Sequence, residues 1–189
     1  MIVVFMAALL AIPRGPRSGP APEEPVQQQQ QLSDAELRER IDTYLSALDR
    51  PARAADWKAL GPPAAPILEA IIADEGQLPS RRAKAVEGLV ATAPDRASGL
   101  VGTIAKDERQ PVVVRVAAMH GAGRVLPPSR AISELRPVLR NAKSAGLRAE
   151  AADVLARRQG GCAEVRGQVA REKSEHRAAF ARAMKRCGE

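Results

Sequence analysis

An eight-residue pattern that recurs along the chain constrains the fold more than any other feature of the sequence. Blocks 82–89, 115–122 and 148–155 align with one another, and the arginines that open them are spaced 33 residues apart. Weaker copies, 53–60 and 177–184, flank these three blocks at a spacing of 29 residues. Self-similarity at a fixed period of about 20–50 residues is typical of repeat architectures. The chain is therefore predicted to repeat one small structural unit.

Each block has the pattern of an amphipathic helix. The second, fifth and eighth residues are apolar, as in Ala83, Val86 and Leu89. Because a spacing of three on a helix gives a contiguous stripe, these positions are predicted to be buried. Second helices are predicted between the blocks, at 62–74, 94–107, 129–141 and 162–173. One helix pair cannot bury both of its faces, so the copies are expected to stack.

Prolines mark the second helices. Several lie at or near the predicted starts, where a first helical turn tolerates them. Pro137 lies inside a predicted helix instead and is expected to kink it.

The composition favours helices throughout. Aromatic residues make up only 2% of the chain, and hydrophobic residues make up 45%. The core must therefore consist mainly of Ala, Leu, Val and Ile. No long segment alternates β-branched or aromatic residues with polar ones, as a strand would require. The predicted fold class is all-α.

Two segments resemble a known repeat family. Trp57-Lys-Ala-Leu-Gly-Pro-Pro-Ala-Ala-Pro-Ile-Leu68 resembles the HEAT signature, in which Leu-Gly-x-x-Ala bridges two helices. Val113-Val-Arg-Val-Ala-Ala118 resembles the start of the first helix in short HEAT-like repeats. The resemblance covers roughly residues 50–160. It implies an α-solenoid, a right-handed superhelix of antiparallel helix pairs, over residues 33–189. Such arrays serve as scaffolds, adaptors and a few enzymes, so the fold alone does not assign a function.

The N-terminal region is predicted to contain two segments outside the repeats. Residues 1–12 form a signal-like or membrane-anchoring apolar segment, too short for the roughly 20 residues of a membrane-spanning helix. No basic residue precedes this segment, and Arg14 and Arg17 follow it, which is unfavourable for export. Residues 13–32, rich in Pro and Gln, are predicted to be a disordered linker. Export to the periplasm or the extracellular space is favoured, with a membrane tether or a cytoplasmic location as alternatives.

The repeat domain, 33–189, is predicted to open with a helix that shields the first repeat from solvent. Ser33 and Glu36 form a Ser-x-x-Glu capping box, which is a signal for a helix start. The apolar stripe of this helix is expected to contain Leu37, Ile41, Tyr44, Leu45 and Leu48.

No residue set with catalytic or metal-binding spacing is found, so no catalytic, metal or cofactor residues are predicted. The two histidines, His120 and His176, are 56 residues apart, and His120 is expected at the surface or at an interface. HEAT-like hydroxylases use His-Glu dipeptides, which this chain lacks. HEAT-like DNA glycosylases use aromatic residues near a carboxylate, and Asp56 and Trp57 match this only weakly, since Trp57 falls at a core position. Repeats alone do not make a pigment site of the phycobilin-lyase type.

The two cysteines, Cys162 and Cys187, are separated by 25 residues. A single helix over this span would hold its ends about 37 Å apart, too far for a bond. A turn near 173–175, with Ser174 capping the last helix, would instead bring both to one end of a hairpin. A disulfide requires Cα atoms within about 7 Å, which a hairpin supplies. The hypothesis is a disulfide that fixes the last hairpin; the alternative is two unrelated thiols.

The charge is unevenly distributed. Residues 33–75 carry more acidic than basic side chains, whereas 76–189 are predominantly basic, and the net charge is +7. Second helices typically line the concave side of HEAT-like arrays, and here they carry the predicted partner-binding residues Arg96, Lys106, Arg136 and Arg140. The favoured function is a non-catalytic scaffold that binds an unidentified protein, for example one with an acidic segment.

Three alternatives remain open. The basic face of 76–189 can bind nucleic acid or another polyanion, although export of the protein would make nucleic acid unlikely. An enzyme or lyase accessory of the HEAT-like type is the second alternative. The third is a solvated helical surface whose basic charge has no ligand.

Overall fold

The computed structural model describes residues 32–47 and 49–188, and all regular structure within these ranges is helical. The elements are α1 (Asp34–Ser46), α2 (Ala54–Lys58), α3 (Ala64–Ala73), α4 (Pro79–Thr92), α5 (Pro94–Lys106), α6 (Val112–Val125), α7 (Pro128–Asn141), α8 (Ala145–Leu155), α9 (Gly161–Val169), a 3-10 helix (Ser174–Phe180) and α10 (Ala181–Arg186). The all-α fold class is thereby confirmed. Each predicted block and each predicted second helix coincides with one of these elements to within a few residues, except the last block, 177–184, which spans the end of the 3-10 helix and the start of α10.

The helices pack in chain order. Every substantial helix–helix contact in the described chain joins elements at most three apart in sequence order. The first helices of successive pairs, α4, α6 and α8, pack against one another, and the second helices α5, α7 and α9 do the same. The described residues, 32–47 and 49–188, form one compact unit. We call the two sets of neighbours the first-helix row (α2, α4, α6, α8, α10) and the second-helix row (α3, α5, α7, α9).

Local sequence signals explain several helix ends. Ser33 and Glu36 form the predicted capping box: the Ser33 amide donates to Glu36 Oε2 at 2.9 Å, and the Glu36 amide donates to Ser33 Oγ at 3.4 Å. Prolines occupy the first turns of α4, α5 and α7. Gly61 (φ 70°) and Gly160 (φ 82°) supply the left-handed backbone of the turns before α3 and α9. Helix α7 continues through Pro137 to Asn141, so this proline does not end the helix.

The core consists of small aliphatic side chains between the two rows. The fifth and eighth positions of the first four blocks are all buried, as predicted. The stripe was wrongly predicted at the two end blocks, where Ala54, Ala178 and Ala181 are exposed. In the last block Phe180 and Ala183 are buried instead. No described helix follows this block, so it is covered only by α8 and α9, which precede it.

The chain's one tryptophan is a packing residue. Trp57 is 3% exposed, and its ring meets that of Tyr44 edge to face, with centroids 5.1 Å apart. Gly88 of α4 lies against this indole, because a Cβ there would stand 2.8 Å from a ring carbon. The absence of a side chain at Gly88 therefore lets α4 approach the tryptophan closely.

Arg82 and Arg115, the arginines that open two of the blocks, occupy equivalent places. Arg82 Nε donates to the Ile72 carbonyl at 2.9 Å, and Arg115 Nε donates to the Ala105 carbonyl at 3.0 Å. Each acceptor lies ten residues upstream, in the last turn of the preceding second helix. The C-terminal carbonyls of a helix lack intrahelical partners and carry partial negative charge, so a buried guanidinium stabilises this end. Each contact joins one helix pair to the next.

A repeated turn leaves these carbonyls available to the arginines. The Gly76 amide donates to Asp74 Oδ1 at 2.9 Å, and the Arg109 amide donates to Asp107 Oδ1 at 3.1 Å. Because each amide is diverted to a carboxylate, it does not continue the helix hydrogen bonds, and the carbonyl accepts the arginine instead. Hydrogen bonding from Arg109 lowers the pKa of Asp107 to about 2, so the Asp107 carboxylate stays ionised near neutral pH.

The third arginine of the series departs from this pattern. The two turns just described share the sequence Asp-Glu-x-Gln, at 74–77 and 107–110, and no such sequence lies in the turn before Arg148. The Nη1 atom of Arg148 donates to the Ala142 carbonyl at 2.7 Å, beyond the end of α7. Its Nε and Nη2 bind the buried carboxylate of Glu172 at 2.6 and 2.7 Å. Arg148 therefore still contacts the end of the preceding second helix, and also fixes the chain after α9.

Some predictions fall outside the described residues. These are the apolar segment 1–12, the linker 13–32 apart from Leu32, and Leu48 of the first apolar stripe. None of the helices within 32–188 combines the length and the apolar character that crossing a membrane requires.

Candidate protein-binding surface

The four predicted partner-binding residues lie on the second-helix row, and each forms an ion pair with the neighbouring second helix. Arg96 of α5 binds Glu69 of α3 through two hydrogen bonds. Lys106 of α5 binds Glu134 of α7. The pairs formed by α7 are Arg136 Nη2–Glu164 Oε1 at 2.7 Å and Arg140 Nη2–Glu164 Oε2 at 3.1 Å.

These pairs largely neutralise the four predicted cations. Hydrogen bonding from Arg136 lowers the pKa of Glu164, so this carboxylate is ionised near neutral pH and remains paired. The cationic side chains are about half exposed, and ion pairs of this kind contribute little stability. An acidic partner would have to compete with carboxylates already in place. The partner-binding role of the four residues stays a prediction.

Room for one of these pairs depends on a glycine. A Cβ on Gly102 of α5 would stand 2.6 Å from Glu134 Oε2. The glycine therefore leaves space for the Glu134 side chain to lie across α5 and reach Lys106.

Other basic side chains bind helix ends. Besides Arg82 and Arg115, Lys84 Nζ donates to the Leu45 and Ala47 carbonyls at the end of α1, at 2.9 and 2.6 Å. Arg158 Nη2 donates to the carbonyl of Leu126, the C-cap of α6, at 2.8 Å. Much of the net positive charge therefore has a structural role at helix C-termini, where cations are favourable.

A polar cleft lies on the first-helix row. It encloses about 230 Å³ and is lined by Glu87, Val90, Ala117, His120, Gly121, Arg124 and Arg157. Small and aliphatic residues of α4 and α6 form its floor, and charged residues form its walls. Within the described chain, neither Arg124 nor Glu87 has an ion-pair partner. We call this site the His120 cleft.

Two carboxylates of α8 border the cleft and organise its basic groups. His120 Nε2 lies 2.8 Å from Glu150 Oε1, and Arg182 Nη2 lies 3.2 Å from Glu150 Oε2. His120 is about one-third exposed and lies at the surface, as expected from the sequence.

Asp153, the second of these carboxylates, is almost completely buried between two arginines. Its side chain is 2% exposed; Arg157 Nη2 donates to its Oδ2 at 2.6 Å and Arg186 Nε to its Oδ1 at 2.9 Å. Burial raises the pKa of Asp153, but the hydrogen bonds from Arg186 and Arg157 outweigh burial, and the net pKa is lowered. Asp153 thus holds Arg157 beside the cleft in a fixed position.

The two cysteines are joined in the last hairpin. Cys162 at the start of α9 and Cys187 after α10 form a disulfide with Cα atoms 5.6 Å apart. The chain turns back at 170–173, and Arg166 donates to the Cys187 carbonyl at 2.8 Å. Ser174 does not cap the following helix, contrary to expectation; Lys173 is the N-cap, and the hairpin continues with a 3-10 helix.

The remaining candidates provide no convergent chemistry. Asp56 pairs with Arg53 at 3.1 Å, and Trp57 is buried in the core. Among residues 32–47 and 49–188, no group of three or more His, Cys, Asp or Glu side chains is arranged to hold a metal ion. No protein-family model, curated protein or solved structure matches the chain.

Sequence reasoning missed both the neutralising carboxylates and the His120 cleft. A signal for the carboxylates was present, because Arg96 follows Glu69 by 27 residues and Arg136 precedes Glu164 by 28, close to one repeat. The cleft had no comparable signal. Its lining residues come from three chain segments and share no motif.

Proposed function

We propose that the chain is a non-catalytic scaffold of the HEAT-like type, a right-handed solenoid that binds another protein through its surface. The observation that carries the proposal is the recurrence of one inter-repeat contact at a 33-residue step, from Arg82 to the end of α3 and from Arg115 to the end of α5. Together with packing between near neighbours only, this supports a stack of equivalent units. Such a stack presents long rows of helices to a partner.

Protein binding is favoured over binding of a long polyanion. Nucleic-acid affinity depends on several cations that face successive phosphates. On the second-helix row the predicted cations are paired with carboxylates, and elsewhere Arg82, Arg115 and Arg158 bind helix ends. A protein partner can instead use local polar and apolar contacts.

Export to an oxidising compartment belongs to this proposal. The disulfide between Cys162 and Cys187 supports it, because such bonds persist mainly outside the reducing cytoplasm. A scaffold in that compartment would meet exported or surface proteins.

Site-specific photo-crosslinking in cells that produce the full chain tests the function. A photoreactive residue is placed at exposed Val113 in the first-helix row, at exposed Ser133 in the second-helix row, and at exposed Glu75 in an interhelical turn as the control. The proposal predicts a discrete protein adduct from at least one row and none from the control. No protein adduct from either row, or an adduct removed by nuclease, would contradict it.

A further inference from the structure

The His120 cleft brings together two guanidinium groups that are not fully neutralised. The predicted cations of the second-helix row all face carboxylates. In the His120 cleft, by contrast, Arg124 has no carboxylate partner within the described chain. Arg157 uses one nitrogen for Asp153, and its side chain is still half exposed. Two guanidinium groups with unused donors therefore line one small cleft.

The helices of the cleft pack closely, and carboxylates hold two of its basic groups. Gly121 of α6 allows close packing, since a Cβ there would stand 2.9 Å from Val90 Cγ2 and 3.0 Å from Val101 Cγ1. Asp153 fixes Arg157, and Glu150 holds the His120 imidazole at 2.8 Å. Arg157 and His120 would therefore lose little side-chain freedom when a ligand binds.

We propose that the His120 cleft binds an acidic side chain, Asp or Glu, from an extended segment of a partner protein. The inference rests on the proposed scaffold function and names the chemistry of its ligand. A carboxylate accepts charge-assisted hydrogen bonds from guanidinium donors, which are stronger than neutral ones. Arg124 and Arg157 supply these donors at the wall of a cleft of about 230 Å³, a size that suits one side chain rather than a polymer backbone.

The arrangement disfavours a run of phosphates as the occupant. Glu87 of α4 lines the same cleft and has no cationic partner within the described residues. Its negative charge repels a second anion placed next to the first. A peptide can present one carboxylate followed by uncharged backbone, whereas a nucleic acid cannot interrupt its row of charges.

Fluorescence anisotropy with the full, disulfide-bonded chain tests the proposal. The probe is a fluorescein-labelled hexapeptide with one glutamate between neutral residues and an amidated C-terminus, and a labelled dodecamer of deoxythymidine is the second arm. The variants are Arg124→Gln, Arg124→Glu and Glu87→Gln. Arg171→Gln is the matched control, because it removes the same charge at an exposed site outside the cleft. Circular dichroism verifies that each variant is folded.

The proposal predicts that Arg124→Gln weakens peptide binding about two- to five-fold, the value of one exposed ion pair. Arg124→Glu should weaken it further, Glu87→Gln should tighten it, and Arg171→Gln should leave it unchanged. Equal losses for Arg124→Gln and Arg171→Gln would overturn the proposal, since net charge alone would then explain binding. Tighter binding of the oligonucleotide, lost in Arg124→Glu, would overturn it in favour of a phosphate ligand.

The two proposals fail in different ways. If peptide binding does not depend on Arg124 but protein photo-adducts still form, the cleft assignment is wrong and the scaffold function stands. If peptide binding depends on Arg124 but neither row gives a protein adduct, the cleft binds carboxylates and the scaffold function is wrong.

Discussion

Replacing Arg115 with methionine tests the contact that joins one repeat to the next. Arg115 is 6% exposed, and its Nε donates to the Ala105 carbonyl at 3.0 Å. Methionine keeps an apolar side chain but removes the donor, so a carbonyl at a helix end loses its partner. A hydrogen bond from a charged group contributes about 1.5–3 kcal/mol, and the favourable helix-dipole interaction is lost with it. We expect the free energy of unfolding to fall by about 2–3 kcal/mol.

Urea denaturation followed by circular dichroism measures this loss, and a thermal scan should show a melting temperature about 5–10 °C lower. Arg109→Met is the matched control, because Arg109 lies in the preceding turn with its side chain 88% exposed and should change stability by less than about 0.5 kcal/mol. If Arg115→Met and Arg109→Met are equally stable, the arginine does not stabilise the helix end and the reasoning is refuted.

Three further predictions concern the last hairpin, a buried carboxylate and a close helix contact. Reduction of the disulfide between Cys162 and Cys187 should lower the free energy of unfolding by about 3 kcal/mol, because the bond closes a loop of 25 residues; urea titration with and without reductant measures this. Hydrogen bonding from Arg148 lowers the pKa of Glu172 to about 2. The ionised Glu172 carboxylate therefore stabilises the folded chain by roughly 2 kcal/mol above about pH 4.5, and this contribution is lost as the pH falls towards 2. In urea titrations, the difference in the free energy of unfolding between wild type and Glu172→Gln should therefore shrink as the pH falls from about 4.5 towards 2. Gly88→Ala should destabilise by about 1–3 kcal/mol through collision with the tryptophan ring, whereas Gly99→Ala, with open space around it, should stabilise its helix by about 0.5–1 kcal/mol.

Each of these predictions has an outcome that contradicts it. A double Cys→Ser variant should not respond to reductant; an equal response in that variant and in wild type would show that the bond is not the cause. If the difference in the free energy of unfolding between wild type and Glu172→Gln does not change with pH, ionisation of Glu172 is not the cause of the stabilisation. If Gly88→Ala and Gly99→Ala change the free energy of unfolding equally, Gly88 is not in close contact with the tryptophan ring.

The helix pairs could be predicted because their signals are local. A stripe of apolar residues and a turn containing Gly61 or Pro94 can each be recognised within one unit. The period then indicates which segments are equivalent, and Arg82 and Arg115 do occupy equivalent positions. The repeated Asp-Glu-x-Gln turn was also visible in the sequence, although its role in freeing a helix carbonyl depends on three-dimensional geometry.

Other features depend on contacts between units. Whether Arg136 is available to a partner depends on Glu164, which lies on the next helix of the row. Burial in the last block depends on which neighbour covers it and on the 3-10 helix before Ala181, so Phe180 replaces the expected alanines in the core. The His120 cleft forms only when three separate segments meet. Such contacts between distant segments cannot be recognised from local sequence patterns.

Deletion of one repeat tests most directly whether the units are equivalent. Removing residues 112–144, which contain α6 and α7, takes out one 33-residue period and leaves a second helix followed by a first helix. Removing only 112–127 deletes α6 alone and puts a second helix in the place of a first. In urea titrations followed by circular dichroism, we expect the first deletion to unfold cooperatively from a helical state and the second to lose its helical structure. Loss of structure in both, or retention in both, would contradict a stack of interchangeable units.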